Sequence, residues 1–235
     1  MNIIHKLKAS FRKKTNHISS PSTCPNNEKF VLFEYWDNEG KFDYEKYRNI
    51  QIEGNHQKIN KVWVIRENID FLSDYLRKNL QDVSRGICHG TRRGYEQLWF
   101  RENLECDVIG TEISDTASQF PYTIQWDFHD IKSEWIEAFD FIYSNSLDHS
   151  YNPQMCIQNW MKCLNKNGIC IIEHTSLHSP EGATLLDPFG ATIEYMPYLI
   201  SRWGCRSFGV YEILEAPKQK DSVSYNYFIV LRKFN

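Results

Sequence analysis

The sequence predicts an α/β fold in which a mostly parallel sheet carries helices on both faces. Three observations support this prediction. Short apolar runs, typical of buried parallel strands, alternate along the chain with segments long enough for helices. A turn bracketed by Gly90 and Gly94 follows the first of these runs. Acidic or polar residues then stand directly after several runs, where the carboxyl ends of parallel strands form one crevice.

The first predicted strand, turn and helix form one unit. Gly86-Ile87-Cys88 closes the strand, and Gly90 and Gly94 allow the backbone of the turn to approach a ligand because they lack Cβ atoms. Tyr95 to Asn103 is the predicted helix, whose free N–H groups would face the turn. The next strand, Val108 to Glu112, ends in a carboxylate 22 positions after Gly90, a spacing suited to ribose hydroxyls. This unit predicts a nucleoside-cofactor site.

Three further strands are predicted in sequence order. Thr123 to Phe128 carries an acid, Asp127, near its end. Phe139 to His149 begins with Phe-Asp and ends in a polar turn. Asn167 to His174 is entered from a helix through Gly168. Each strand thus delivers polar side chains to the edge of the sheet at which the predicted cofactor site lies.

In the order and spacing of these elements, residues 62 to 174 resemble the class I S-adenosylmethionine-dependent methyltransferases. The turn of that family commonly reads acid-x-Gly-x-Gly-x-Gly, and here it reads Cys88-His89-Gly90-Thr91-Arg92-Arg93-Gly94. The first and last glycines match, whereas Cys88 stands at the position of the acid and Arg92 at that of the middle glycine. The resemblance implies a Rossmann-like sheet of seven strands.

The resemblance also implies which residues bind the cofactor, S-adenosyl-L-methionine. Gly90 and Gly94 would cradle its methionine and ribose portion, Glu112 would accept the ribose hydroxyls, and Asp127 would accept the adenine amine. The other expected cofactor contacts are Arg92, Asn145 and the two residues that would sandwich the adenine ring, Ile113 and Phe128. Three roles remain open for the side chains of Arg92 and its neighbour Arg93. They bind the cofactor carboxylate, they bind an anionic group of the substrate, or they are solvated charges at the turn.

Histidines are concentrated at the predicted strand ends. Five of the eight lie at or just beyond them, namely His89, His129, His149, His174 and His178. A neutral imidazole there can take a proton from an acceptor hydroxyl during methyl transfer. His149 and His174 are the candidate catalytic bases, because the fourth and fifth strand ends flank the methyl group in the enzymes that this chain resembles. Asp148 with these two histidines is also a candidate cation site, but one acid is few for a divalent ion, and no metal is predicted.

Composition limits the remaining function classes. The chain has 235 residues, 41% of them apolar and 24% charged, as in an ordinary soluble protein. A net charge of −3 disfavours a nucleic-acid partner. No apolar run approaches the roughly 20 residues of a membrane span, and early lysines argue against a signal peptide, so a cytoplasmic location is expected. Seven cysteines without a C-x-x-C pair argue against a zinc cluster or a disulfide framework.

The chain is predicted to have two parts, an N-terminal extension and linker at residues 1 to 60 and a methyltransferase domain at residues 61 to 235. Residues 1 to 14 have the pattern of a short basic amphipathic helix, either a frayed surface helix or one that docks on a membrane surface or a partner. Residues 18 to 28 have the composition of a linker.

Residues 30 to 60 are rich in aromatic side chains and are expected to form a lid on the site. Asp43 is the predicted cap of a helix in this segment. Either Tyr44 or Tyr47 closes the active site, or both tyrosines only pack the extension on the core. Val62 to Leu80 is then predicted to be the helix that leads into the first strand of the sheet.

The remaining elements follow the same logic of caps and periodicity. Asn152-Pro153 is the predicted start of a helix. The other predicted elements are a helical turn at Ser133 to Ala138, a helix at Thr192 to Trp203 and a closing antiparallel pair at Phe208 to Leu214 and Val223 to Arg232. The excursion from Pro180 to Gly190 is the expected place of substrate-recognition elements.

These inferences favour an S-adenosylmethionine-dependent methyltransferase that O-methylates a small-molecule or sugar-type acceptor. O-methylation is favoured because the candidate bases are histidines. In addition, the Asn/Asp-Pro-Pro-aromatic motif that members of the resembled family often carry when they methylate amino nitrogens does not follow the fourth strand. The alternatives are an inactive methyltransferase-like scaffold, since Cys88 and Arg92 alter the turn, and an RNA or protein methyltransferase. A nicotinamide-dependent oxidoreductase is a weaker alternative, because the chain lacks the Tyr-x-x-x-Lys pair that usually relays the proton in the short-chain type.

Overall fold

The computed structural model describes residues 28–234. The predicted helix at 1 to 14 and the linker up to residue 27 therefore lie outside the described residues. The strands in this range are β1 (Phe30–Leu32), β2 (Arg85–His89), β3 (Asp107–Glu112), β4 (Thr123–Gln125), β5 (Phe139–Ser144), β6 (Leu164–Thr175), β7 (Phe189–Ala191), β8 (Phe208–Glu215) and β9 (Asn226–Lys233). The α-helices are α1 (Tyr44–Lys58), α2 (Arg66–Asn79), α3 (Tyr95–Leu104), α4 (Pro153–Cys163) and α5 (Met196–Gly204).

Seven strands form the central sheet, in the order β4-β3-β2-β5-β6-β9-β8. The neighbours β4, β3, β2, β5 and β6 pair in parallel, whereas β9 is antiparallel to both β6 and β8. The chain order reverses between β2 and β5, so the carboxyl ends of these two strands border a crevice. This architecture confirms the predicted α/β fold, including its closing antiparallel pair.

Helices cover both faces of the sheet, and each face buries its own apolar cluster. On one face, Leu72 of α2 and Phe100 of α3 belong to the cluster. On the other face, Trp160 of α4 is fully buried in a second cluster. Successive residues of β6 alternate between them, with Ile171 in the first cluster and Ile172 in the second. Because strand side chains alternate in direction, a continuous apolar run is what a strand covered on both faces requires.

Helix caps explain why two predicted starts are correct. The Asp43 side chain accepts a hydrogen bond from the backbone N–H of Lys46 at 2.9 Å, so α1 begins directly after Asp43. The Asn152 side chain likewise accepts from the N–H of Met155 at 3.1 Å, and Pro153 opens α4. The predicted helical turn is present as a 3₁₀ turn at Ser133–Trp135.

Three predicted boundaries are wrong by several residues. Helix α2 begins at Arg66 instead of Val62, because Ile65 is extended and the segment before it runs along the crevice. Helix α5 begins at Met196 instead of Thr192, with Pro197 in its first turn, where proline favours a helix start. Strand β4 ends before Asp127, whose side chain accepts a hydrogen bond from the N–H of His129 in a local turn.

The extension is tied to the loop that follows β6. Strand β1 pairs antiparallel with β7, with Val31 opposite Gly190. The Tyr35 hydroxyl donates to the carbonyl oxygen of Leu185 at 2.6 Å, and Gln51 of α1 donates to that of Leu186 at 2.8 Å. These contacts hold α1 over the crevice of the sheet. None of the helices between residues 28 and 234 is long and apolar enough to cross a membrane.

Candidate functional site

The turn after β2 is left-handed at three positions. Gly90 has φ 73°, Arg92 has φ 45° and Gly94 has φ 71°. A Cβ atom at Gly90 would lie 2.5 Å from the Cβ atom of Ser146, so only glycine fits between the two strand ends. Arg92 adopts the left-handed backbone at a position where the family that this chain resembles has glycine, a conformation that costs an L-residue roughly 1–2 kcal/mol. The altered turn therefore retains the left-handed backbone conformation that glycine favours, although an arginine occupies the position of the middle glycine.

Glu112, at the end of β3, holds this turn in place. Its carboxylate accepts hydrogen bonds from the backbone N–H of Arg92 and of Ser114, both at 3.0 Å. Burial raises the pKa of Glu112, and these hydrogen bonds and the charge of Arg92 oppose that rise. Each carboxylate oxygen retains a second acceptor position, which is available to a donor in the crevice.

Asp127 is embedded in a line of hydrogen bonds. It accepts from the Tyr44 hydroxyl at 2.9 Å and pairs with Nδ1 of His129 at 2.6 Å, while Nε2 of His129 lies 2.7 Å from Oγ of Ser150. Burial opposes the charge of Asp127, but the hydrogen bond and charge of His129 outweigh it and hold its pKa below the usual value. Ser150 is fully buried and accepts from the N–H of Asn152. His129 and Ser150 are fully buried, so they support Asp127 from behind and do not form a nucleophilic Ser-His-Asp site.

Two adjoining cavities lie over the carboxyl ends of the strands. The smaller, of about 50 Å³, lies beneath α1 and is lined on the sheet side by Glu112, Ile113, Asp127 and Phe128. The larger, of about 320 Å³, lies over the turn and the end of β5, where Asn145 lines it. Both cavities share the same boundary residues, which are Lys58, Gly90, Arg92, Ser146 and His149. The structure therefore brings together all the predicted cofactor residues except Gly94, which lines neither cavity.

Gly94 has a different position from the one expected of a cofactor contact. It precedes α3, and a Cβ atom there would lie 2.3 Å from Nε2 of Gln97. Gln97 is buried and donates from Nε2 to Oγ1 of Thr123 at 2.8 Å. Gly94 therefore allows α3 to pack closely against the sheet, which orients the helix N-terminus toward the turn.

Glu96 is a buried acid that sequence reasoning missed. It lies in the first turn of α3, where it lines the larger cavity and accepts from Nδ2 of Asn145 at 3.2 Å. Burial raises the pKa of Glu96 to about 7, against the opposing effect of the Asn145 hydrogen bond. The sequence signal for this residue was an acid in the first turn of the helix that follows the glycine turn.

The two candidate bases have contrasting environments. His149 lines both cavities, and its Nδ1 atom lies 3.0 Å from Oε1 of Gln51 and from the carbonyl oxygen of Leu186. His174 is 3% exposed and lines neither cavity. Burial lowers the pKa of His174 to about 3, so this imidazole is neutral. Of the two predicted bases, only His149 lines the two cavities.

Several site residues come from segments that carried no recognisable motif. Gln51 and Tyr47 of α1 line the smaller cavity, and Trp63 before α2 lines the larger one. Asp187, from the excursion after β6, also lines the larger cavity. The only sequence signals were the aromatic content of residues 30 to 60 and the expectation that the excursion recognises the substrate.

Comparisons with known proteins agree with this geometry. No protein-family model and no curated protein sequence matches the chain. Among solved structures, the Burkholderia thailandensis 1,6-didemethyltoxoflavin-N1-methyltransferase, solved with bound 1,6-didemethyltoxoflavin and S-adenosylhomocysteine, is similar with a TM-score of 0.63 at 12% identity, over 89% of this chain and 97% of that one.

Two further similar structures are also methyltransferases. The plantazolicin methyltransferase BpumL, in complex with S-adenosylhomocysteine, has a TM-score of 0.62 at 11% identity, over 81% of this chain and 96% of that one. The CcbJ methyltransferase from Streptomyces caelestis has a TM-score of 0.52 at 11% identity, over 82% of this chain and 100% of that one. Together with the strand order and the glycine turn, these similarities show that the chain has the fold of the class I S-adenosylmethionine-dependent methyltransferases.

Proposed function

We propose that this protein is an S-adenosylmethionine-dependent methyltransferase acting on a small molecule. The observation that carries the proposal is the convergence of the glycine turn, Glu112 and Asp127 on two adjoining cavities at the point where the strand order reverses. In open α/β sheets, this is where ligands bind. The similar structures that were solved with S-adenosylhomocysteine support the same cofactor class for this chain.

The residues of the turn fit such a cofactor. Oγ1 of Thr91 and Nε of Arg92 are buried and have no hydrogen-bond partner within residues 28 to 234. Buried polar groups are seldom left without partners, so these two atoms point to a polar ligand at the turn. A hydroxyl and a guanidinium suit the amino and carboxylate groups of a methionine portion. Close packing at Gly90 leaves no room for a side chain between the turn and Ser146.

Each half of the site would hold a different part of the cofactor. Glu112 would accept ribose hydroxyls on its remaining acceptor positions, Asp127 would accept the adenine amine, and Ile113 and Phe128 would contact the ring. The bound cofactor supplies the reactive methyl carbon. Asn145 lies on the larger cavity, where it would face the methyl group and the acceptor.

Helix α1 would act as the lid that residues 30 to 60 were expected to provide. The cavity beneath it is about 50 Å³, whereas ligand pockets are usually at least roughly 300 Å³. An adenosine portion therefore requires α1 to move outward. Tyr44 and Tyr47 would both take part, since Tyr44 donates to Asp127 and Tyr47 lines the smaller cavity.

The acceptor would bind in the larger cavity, with His149 as the group that takes its proton. Because both neighbours of Nδ1 are oxygen atoms, that nitrogen carries the hydrogen, and the lone pair of Nε2 lies at the larger cavity, 3.4 Å from Oδ1 of Asp187. A histidine base favours a hydroxyl acceptor and thus O-methylation. A cavity of about 320 Å³ lined by both polar and apolar side chains suits a small or sugar-type molecule.

A second candidate function is a methyltransferase-like domain that binds without catalysis. Two observations favour it, namely the left-handed Arg92 in place of glycine and the small volume beneath α1. Cofactor affinity separates the two candidates, because a non-catalytic scaffold needs no adenosyl site.

The experiment is isothermal titration of the purified protein with S-adenosylmethionine and S-adenosylhomocysteine, with NAD and NADP as controls. The proposal expects dissociation constants of about 1–100 μM for the adenosyl pair alone, equivalent to about −8 to −5.5 kcal/mol. Absence of adenosyl binding by the folded protein would contradict it in favour of the scaffold. Preferential binding of NAD or NADP would point to the oxidoreductase alternative.

A further inference from the structure

Three ligand-type side chains meet on the wall of the larger cavity. Asp148 and His149 follow β5, and Asp187 comes from the excursion after β6. Their ligand atoms lie within 4.8 Å of one another. The sequence had offered only one acid for a cation, whereas the folded chain supplies a second. This removes the reason for which no metal was expected.

The hydrogen bonds of His149 leave its Nε2 lone pair facing a carboxylate. Gln51 donates from Nε2 to the carbonyl oxygen of Leu186 at 2.8 Å, which fixes the orientation of its amide. Oε1 of Gln51 and the Leu186 carbonyl oxygen are therefore the two acceptors around Nδ1 of His149. The proton of His149 lies on Nδ1, so Nε2 carries only a lone pair. It lies 3.4 Å from Oδ1 of Asp187, which is also an acceptor. Such a pair requires a cation or an added proton between its members.

Both acids are arranged as ligands would be. Oδ1 of Asp148 is buried with no hydrogen-bond partner in the described part of the chain. Oδ2 of Asp187 accepts from Oγ1 of Thr184 at 3.2 Å, which orients the carboxylate and leaves Oδ1 turned toward His149. Metal-binding histidines usually donate their other ring N–H to a carbonyl or carboxylate, as Nδ1 of His149 does here. The cluster therefore has oriented ligands and a supporting set of hydrogen bonds.

We propose that Asp148, His149 and Asp187 bind a divalent first-row transition-metal ion at the wall of the larger cavity. One imidazole and two carboxylates suit Mn²⁺ or Zn²⁺ better than Mg²⁺, which prefers oxygen ligands. Three protein ligands leave open positions on the ion that face the cavity. The other cation that satisfies the same geometry is a proton on Nε2 of His149, which would make an imidazolium between two carboxylates.

Binding of the metal ion does not depend on the proposed function. A role of the ion in methyl transfer does rest on the proposed function. An acceptor hydroxyl that binds such an ion loses its proton at a lower pH. His149 would then serve as a ligand, and the ion would take over the activation of the acceptor. The imidazole acts directly as the base only in the protein without metal.

The test is a titration of the chelator-treated full chain with Mn²⁺, followed by the electron paramagnetic resonance signal of the free ion, and a competition with Zn²⁺. We expect one ion per chain with a dissociation constant below about 100 μM, tighter than the weakest dedicated cation sites. Asp187→Asn should weaken binding at least about 10-fold, and His149→Ala should do the same or more. Asp115→Asn is the matched control, since it removes a carboxylate from an exposed Asp-His pair with His56 and should leave the affinity unchanged.

Two results would overturn the proposal. One is the absence of Mn²⁺ and Zn²⁺ binding up to about 1 mM by the folded protein, which would assign the cluster to a protonated His149. The other is equal affinity in Asp187→Asn and Asp115→Asn. Titration of the same samples with S-adenosylhomocysteine separates the two proposals, because lost metal binding with intact cofactor binding contradicts only this one. Circular dichroism establishes that each variant is folded, and Asp187→Asn keeps the side-chain volume in case His149→Ala fails to fold.

Discussion

The two halves of the crevice differ in how far their polar groups are satisfied. In the smaller cavity, Glu112 and Asp127 each accept at least two hydrogen bonds from within the chain. In the larger cavity, Oδ1 of Asp148 has no hydrogen-bond partner among residues 28 to 234, and Nε2 of His149 faces another acceptor. Buried polar groups without partners destabilise a fold, so a protein keeps them where a ligand completes them. Under the proposed function, we call the smaller cavity the cofactor half, whose two acids are already oriented, and the larger cavity the acceptor half, whose polar atoms a ligand would complete.

The largest effect is expected in the acceptor half. His149→Ala should reduce turnover at least about 100-fold, whether the imidazole acts as a base or through an ion, because proton removal from the acceptor is lost. Binding of S-adenosylhomocysteine should stay close to that of the wild type. Steady-state kinetics and calorimetry on the same preparation provide both values. His56→Ala, which removes an exposed histidine, is the control. Near-normal turnover of His149→Ala would leave the catalytic role to another group.

The second-largest effect is expected in the cofactor half, and it should appear as weaker binding of S-adenosylmethionine. Glu112→Ala should weaken S-adenosylmethionine binding by about 1.5–3 kcal/mol, the usual contribution of a hydrogen bond to a charged group. Loss of the N–H acceptor for Arg92 adds to this effect, since the turn is then held less firmly. Isothermal titration measures it, with Glu134→Ala as an exposed control. Unchanged affinity in Glu112→Ala would contradict the ribose assignment.

A pH-dependent effect is expected from Glu96. Burial raises the pKa of Glu96 to about 7, above its value in the unfolded chain, so its contribution to stability is present at low pH and is lost as the pH rises through about 7. Glu96→Gln cannot ionise, and we expect it to match the wild type near pH 4 and to exceed its unfolding free energy by at least about 2 kcal/mol at pH 9.

Urea unfolding at several pH values measures this difference between Glu96→Gln and the wild type. Glu67→Gln, an exposed acid in the first turn of α2, is the matched control and should show no such trend. A Glu96→Gln difference that does not change between pH 4 and pH 9 would contradict the buried, protonated state of Glu96. Confirmation would place a titrating acid in the acceptor half beside Asn145.

The smallest effect is expected at the contact between the lid and the cofactor half. Tyr44→Phe removes one hydrogen bond to Asp127 and should lower the unfolding free energy by about 0.5–1.5 kcal/mol. If α1 moves outward to admit the cofactor, the same variant should also bind S-adenosylhomocysteine faster. Stopped-flow fluorescence measures that rate. An unchanged rate would support the alternative in which Tyr44 only packs the extension on the core.

The residues of the smaller cavity could be predicted from the sequence to a greater extent than those of the larger cavity, for a physical reason. Strands β2, β3, β5 and β6 and their polar ends followed from apolar runs and nearby residues, since they depend on local chain properties. The acceptor half depends on contacts across the chain, such as that of Gln51 with His149, 98 positions apart, and that of Gln51 with Leu186, 135 positions apart. No hydrophobic periodicity records contacts between such distant positions, so Asp187 was missed and His174 remained a candidate base beside His149.

The amino-acid sequence by itself determined the α/β fold, the succession of its main strands along the chain, the caps of α1 and α4, and the gathering of Gly90, Glu112 and Asp127 at one edge of the sheet. Only the tertiary structure decided which histidine lines the cavities, which nitrogen of His149 carries its proton, and which second acid stands beside it. The reason is that the identity of each strand or helix and its caps are set by short-range pattern and backbone geometry. The partners of a buried polar atom are instead set by whichever distant segments pack around it.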